Sequence, residues 1–214
     1  MTSLYPPGTV LMLLESDLVT PATRRALQDR LQTPAIVEPR FFDAAAFETL
    51  CAVCDRLVPQ SERPRPIDLA GTFDARLADM QPFGGGGDGW RFAIMPPDRI
   101  MHVAGLRGIE QTSAAMFDRA YTAIGETQAD EVLRAVQSGT ATGSVWAEMD
   151  AGRYFEELLA QVVDIYYSHP LASEEIGYVG MADAHGWQAL GLGARELHEP
   201  VASAPVEPAR EIAA

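Results

Sequence analysis

The chain reads as an all-α protein, an irregular helical bundle with extended arms at its N- and C-terminal ends. Three observations predict this. Apolar residues recur at spacings of three and four through successive stretches, most stretches open on a capping residue or close on a proline, and no alternating apolar–polar run longer than a few residues occurs. No internal repeat is evident. The 214 residues, 47% of them hydrophobic, suffice for one sizeable core. The reading divides them into an N-terminal arm and short helix over 1–40, a helical domain over 41–197 and a loosely held tail over 198–214.

In order along the chain, Pro6, Pro7 and Gly8 precede a brief apolar run at residues 10–14, which predicts an extended arm or short strand laid against another surface. Thr20 before Pro21 is a cap followed by proline at the first helical position, and Ala26, Leu27 and Leu31 continue a short helix. Pro34 and Pro39 mark a connector. Asp43 caps the next helix, where Phe47, Leu50, Cys51, Cys54 and Leu57 form an apolar stripe that Pro59 ends. After a polar, proline-rich loop at residues 60–66, Asp68 caps a helix lined by Leu69, Phe73, Leu77 and Met80.

Four consecutive glycines, Gly84 to Gly87, predict a mobile surface turn, after which Trp90 and Phe92 re-anchor the chain. Beyond Pro96 and Pro97 a long helix is expected through Ile124, with Ile100, Val103, Leu106, Ala114, Phe117, Tyr121 and Ile124 mostly inward. Its Gly105 and Gly108 would admit a second helix at close range. Gly125 breaks the pattern, Thr127 caps a short helix with Val132, Leu133 and Val136 inward, and Gly139 stops it. Residues 140–149 form a polar connector containing Trp146. Asp150 caps the last helix, which buries Phe155, Leu158, Leu159, Val162, Ile165 and Tyr166 before Pro170 closes it. The glycine- and aromatic-rich run that follows, with Tyr178, Gly186 and Trp187, has no helix or strand period, yet is too aromatic for a linker and should pack on something.

Composition narrows the function. Sixteen arginines against thirty acidic residues give a formal charge of −14, which disfavours nucleic acid and anionic membrane surfaces. No apolar run approaches the roughly 18–20 residues of a spanning helix. No basic residue precedes the apolar run at 10–14, and Arg24 and Arg25 fall inside a helix, so no export leader is read and a cytoplasmic location follows. The chain contains no lysine, which removes Schiff-base chemistry. Gly84 to Gly89 lack the lysine and hydroxyl of a phosphate loop and the flanking strand and helix of a dinucleotide fold.

Cys51 and Cys54 form a CxxC. A redox pair sits where a helix N-terminus lowers the thiol pKa, whereas these lie about two turns inside a helix, a position that favours core packing. No second ligand pair completes a zinc site. The four histidines, His102, His169, His185 and His198, stand singly. No catalytic, cofactor-binding or metal-binding constellation is read. Two alternatives stay open: a thiol-based redox or chaperone module through Cys51 and Cys54, and a stand-alone enzyme with a pocket around His102, His169 or His185.

The order of motifs carries a resemblance. A helix ending in CDRLVP, a later helix running into YYSHP, a glycine-containing segment and then HGWQALGLG resemble the small subunit (subunit 3, or gamma) of the gluconate 2-dehydrogenase family. The resemblance covers roughly residues 41–193. It implies a non-catalytic subunit that binds and stabilises a large FAD-dependent (GMC-type) dehydrogenase subunit oxidising a sugar, glycoside, sugar acid or polyol hydroxyl. A cytochrome c subunit is a further partner it implies, and FAD is expected in the partner rather than in this chain. Small subunits of this family commonly carry an export leader, so periplasmic placement by co-export with a leader-bearing partner is the alternative location. Within the matching region Tyr166, Tyr167, Tyr178, His185, Gly186 and Trp187 are the interface candidates, because aromatic side chains give large buried area at low entropic cost. Trp187 plugging the end of the bundle is the competing reading.

Overall fold

The structure, a computed structural model, describes residues 8–32, 35–36, 38–61, 66–80, 95–176 and 186–196. Within them are eight α-helices and no strand: α1 (Thr9–Glu15), α2 (Pro21–Gln32), α3 (Ala44–Leu57), α4 (Leu69–Asp79), α5 (Asp98–Phe117), α6 (Glu126–Gln137), α7 (Ala151–Ser168) and α8 (Pro170–Glu175). Two single 3₁₀ turns, Tyr121–Ala123 and Val145–Ala147, lie between α5 and α7. The expected all-α class is what the chain adopts. Two compact units divide it, one made of Pro34–Tyr166 and the other of Met1–Thr33 with Tyr167–Ala214. The tetraglycine stretch, Trp90, Phe92 and the tail from His198 lie outside the described residues.

In the central unit, Pro34–Tyr166, the caps fall where the aspartates stand. Asp43 accepts from Ala46 N at 2.8 Å, Asp68 from Gly71 N at 2.8 Å and Asp150 from Arg153 N at 2.9 Å, each satisfying a first-turn donor that the helix leaves open. Asp68 also accepts from Ile36 N at 2.7 Å through its other oxygen, so one carboxylate starts α4 and pins the preceding connector. Gly71 is required beside it, because a Cβ there would lie 2.1 Å from Asp68 Oδ2.

One turn further along α4, Asp74 is completely buried. Its two oxygens accept from Arg40 N (2.6 Å), Phe41 N (3.0 Å) and Phe42 N (2.9 Å), which is the hydrogen bonding that makes a buried carboxylate tolerable. α3 packs against α4, α5 and α6, and α5 against α6. Leu50 and Val53 of α3, Phe73 and Leu77 of α4, Ile109 of α5 and Val132 and Val136 of α6 are all inaccessible to solvent. At the rim Arg56 joins α3 to α6, its Nε and Nη2 bonding both oxygens of Asp130 (2.8 and 3.1 Å) and its Nη1 reaching Glu126 (2.9 Å).

α5 departs from the expected face. Ile100 and Val103, expected inward, are 62% and 47% exposed, and Ala114 is exposed as well, while Met101, His102, Gly105, Leu106, Gly108, Ile109, Thr112 and Ser113 are buried. The reason is steric. A Cβ at Gly105 would stand 2.0 Å from Cζ of Tyr154, and one at Gly108 would stand 2.4 Å from Cζ2 of Trp146. The two glycines are sockets for aromatic rings, not a track for a second helix backbone. Trp146, read as part of a polar connector, therefore packs on α5, and its Nε1 donates to Thr112 Oγ1 at 2.9 Å. The helix also stops earlier than expected, at Asp118 in the left-handed region (φ 54°), and Tyr121 is buried from a separate 3₁₀ turn.

In the other unit the run after Gly8 is helical, not the extended arm or strand expected. Val10 and Leu14 of α1 are buried, with Leu27 and Leu31 of α2 packed against them. α1 and α2 also contact α8. Pro170 ends α7 as expected, but it is also the first residue of α8, which the sequence reading passed over; His169 Nδ1 accepts from Leu171 N at 3.3 Å as its cap. The start of α6 is likewise two residues earlier than expected: Gly125, not Thr127, is the cap residue, and Gln128 accepts from its N–H at 3.4 Å.

Candidate partner interface

Cys51, Cys54 and His102 lie in the central unit, whereas His169 stands in the other unit as the cap of α8. Cys51 and Cys54 are free thiols on α3, the first half-buried and the second buried. Burial, reinforced by Asp68, Asp55 and Glu48, pushes the Cys51 thiol up to about 11; burial pushes Cys54 up further. Both are thus held as thiols at neutral pH, the inert form, which opposes a thiolate-based module.

His102 is fully enclosed. Its ring meets Phe73 edge-on at 4.8 Å and Tyr154 at 5.9 Å, and its Nε2 lies 3.2 Å from the Gln161 amide nitrogen. Burial drives its pKa down to about 3, so the imidazole is neutral and accepts from the Gln161 amide through Nε2. That places the proton on Nδ1, which finds no hydrogen-bond partner among the described residues. The hydroxyls of Tyr121 and Tyr154 are buried without partners in the same way, and burial raises both their pKa values. Among the described residues no group of three or more His, Cys, Asp or Glu side chains is placed to hold a metal ion, and no helix is long and apolar enough to cross a membrane.

The six interface candidates are distributed as follows. Tyr166 and Tyr167 are consecutive on the last turn of α7, the first half-buried and the second exposed. Gly186 is exposed with φ +68°, and Trp187 beside it is 38% exposed. Tyr178 and His185 lie outside the described residues.

Sequence reasoning missed the apolar residues around them. The segment 188–196 is closed on itself: Glu196 accepts from the backbone N–H of Gln188 (2.5 Å) and Ala189 (2.6 Å), and Ala194 N donates to Gly191 O at 2.9 Å across a turn. Gly193, at φ +69°, supplies the left-handed residue that turn needs. The polar fastening leaves Leu190 81% exposed and Leu192 fully exposed. Leu11, Met12, Leu18, Tyr167 and Ile176 are also exposed in this unit, against Ile100, Val103 and Met116 among the described residues of the central unit. The available signal was α1 itself, TVLMLLE, which is apolar on nearly every side and so cannot bury all its faces on α2 and α8.

Among the described residues these features define a helical chain with Cys54 and His102 closed inside and its exposed apolar side chains concentrated in the unit built from the two chain ends. The family model for gluconate 2-dehydrogenase subunit 3 matches residues 44–186, about two thirds of the sequence. The chain belongs to that family, whose members are subunits of a dehydrogenase complex. No curated protein and no solved structure matches it.

Proposed function

We propose that this chain is a non-catalytic small subunit that binds and stabilises a large FAD-dependent, GMC-type dehydrogenase subunit acting on a sugar, glycoside, sugar acid or polyol hydroxyl. Flavin and catalytic groups reside in that partner, and a cytochrome c subunit is a further partner. The observation that carries the reading is the family match over residues 44–186. Two features of the molecule support it. His102 and Cys54 are too deeply buried to meet a substrate, and the exposed Tyr167, Trp187, Leu190 and Leu192 are the kind of surface that soluble proteins cover with a partner.

Co-expression tests this directly. A tagged copy of the chain, produced together with a large FAD-dependent dehydrogenase subunit from the same source, is expected to bring that flavoprotein down with its bound FAD spectrum and to raise its soluble yield. Recovery of the tagged chain without any flavoprotein would contradict the reading.

A further inference from the structure

α1 is a helix that cannot stand alone. It has seven residues, where isolated helices need about 12–15 to be even marginally stable in water. Its cap residue is Gly8, which has no side chain to satisfy the open N–H groups of the first turn. The missing cap comes from the far end of the chain. Glu174 of α8, only 9% exposed, accepts from Gly8 N through Oε1 and from Val10 N through Oε2, both at 2.7 Å and both across more than 160 residues of sequence. Hydrogen bonds to a carboxylate at this distance are of the strong, charge-assisted kind. The negative charge also stands at the positive end of the α1 backbone dipole.

We propose that α1 is a conditional element, a strap that is helical only while the Glu174 carboxylate holds it. With the carboxylate in place, Val10 and Leu14 are seated against Leu27 and Leu31. Without it, Gly8 N and Val10 N lose their acceptor, the short helix loses its cap, and the apolar side chains of residues 10–14 come free together. The order of the N-terminal segment is thereby set by the position of α8, at the other end of the sequence. Opening the strap leaves the central unit intact, because Leu50, Phe73, Ile109 and Val132 are buried in that unit, where α3 packs against α4, α5 and α6.

Amide hydrogen exchange on the full-length chain tests this in wild type and in Glu174→Ala. Protection at residues 10–14 is expected to fall about hundred-fold or more, the factor that follows from losing charge-assisted bonds to two helix donors, while residues 46–56 of α3 keep wild-type protection. Should the alanine variant not yield folded protein, Glu174→Gln, which keeps the shape and one acceptor oxygen, is read in the same way with a smaller fall. Unchanged protection at residues 10–14, or an equal fall there and in α3, overturns the proposal.

Discussion

Two buried carboxylates do the same work in the two units, and comparing them shows how differently the units are built. Asp74 gathers three backbone N–H groups of residues 40–42, and Glu174 gathers two from the start of α1. Asp74 is itself inaccessible to solvent and stands on a helix whose neighbours Phe73 and Leu77 are sealed in the core. Glu174 stands on a six-residue helix in a unit that shows solvent Leu11, Met12, Leu190 and Leu192. The central unit spends its apolar side chains on itself, and the unit of the chain ends leaves many of its own uncovered. The same chemical device is therefore structural in one and conditional in the other.

The sharpest break of this comparison is Asp74→Ala. Three backbone donors, that of Phe42 buried, would lose a charged acceptor whose hydrogen bonds are worth roughly 1.5–3 kcal/mol each, so stability should fall by about 3 kcal/mol or more in a urea titration. A loss below about 1 kcal/mol would mean that the central unit is as loosely held as its counterpart. Gly105→Ala probes the same packing from the apolar side. The added methyl would overlap the Tyr154 ring, and overpacking of this kind costs about 1–3 kcal/mol. Gly105→Ala should lower the urea midpoint, and a wild-type midpoint would show that Tyr154 moves aside freely.

The third test uses His102. Its folded pKa, about 3, lies below the ordinary value of 6.5, so below pH 6.5 the unfolded chain binds a proton that the folded chain refuses. The contribution is fully present above pH 6.5 and is lost as pH falls toward 3. Between pH 6.5 and 5 it amounts to about 2 kcal/mol, a window in which ordinary carboxylates stay ionised. His102→Phe should flatten stability against pH across that window. An unchanged slope would mean that the imidazole reaches water.

These tests also mark where the sequence was legible. Asp43, Asp68 and Asp150 could be read as caps because each stands directly before an apolar periodic run, and local chemistry decides a cap. The core face of α5 could not be read. Its buried positions include Gly105, Gly108, Thr112 and Ser113, whose selection depends on where Tyr154 and Trp146 arrive from later in the chain. α1 was illegible for a related reason, since its cap belongs to a residue in another helix. Asp74 looked like any polar position on α4, and only the connector at residues 40–42 makes it a buried clamp. Of the interface, the aromatic residues drew notice by type, whereas Leu190 and Leu192 have no periodic company and are turned outward by a loop that Glu196 closes.

The most direct measurement is a binding titration of the purified chain against the proposed FAD-bearing large subunit, comparing wild type with a variant carrying Trp187→Ala, Leu190→Asp and Leu192→Asp. Loss of exposed apolar anchors at a real interface costs about 2 kcal/mol or more, so the variant should bind about thirty-fold or more weakly with an unchanged urea midpoint. Equal affinity for the two proteins would contradict the assignment of the chain-end unit as the surface that meets the dehydrogenase.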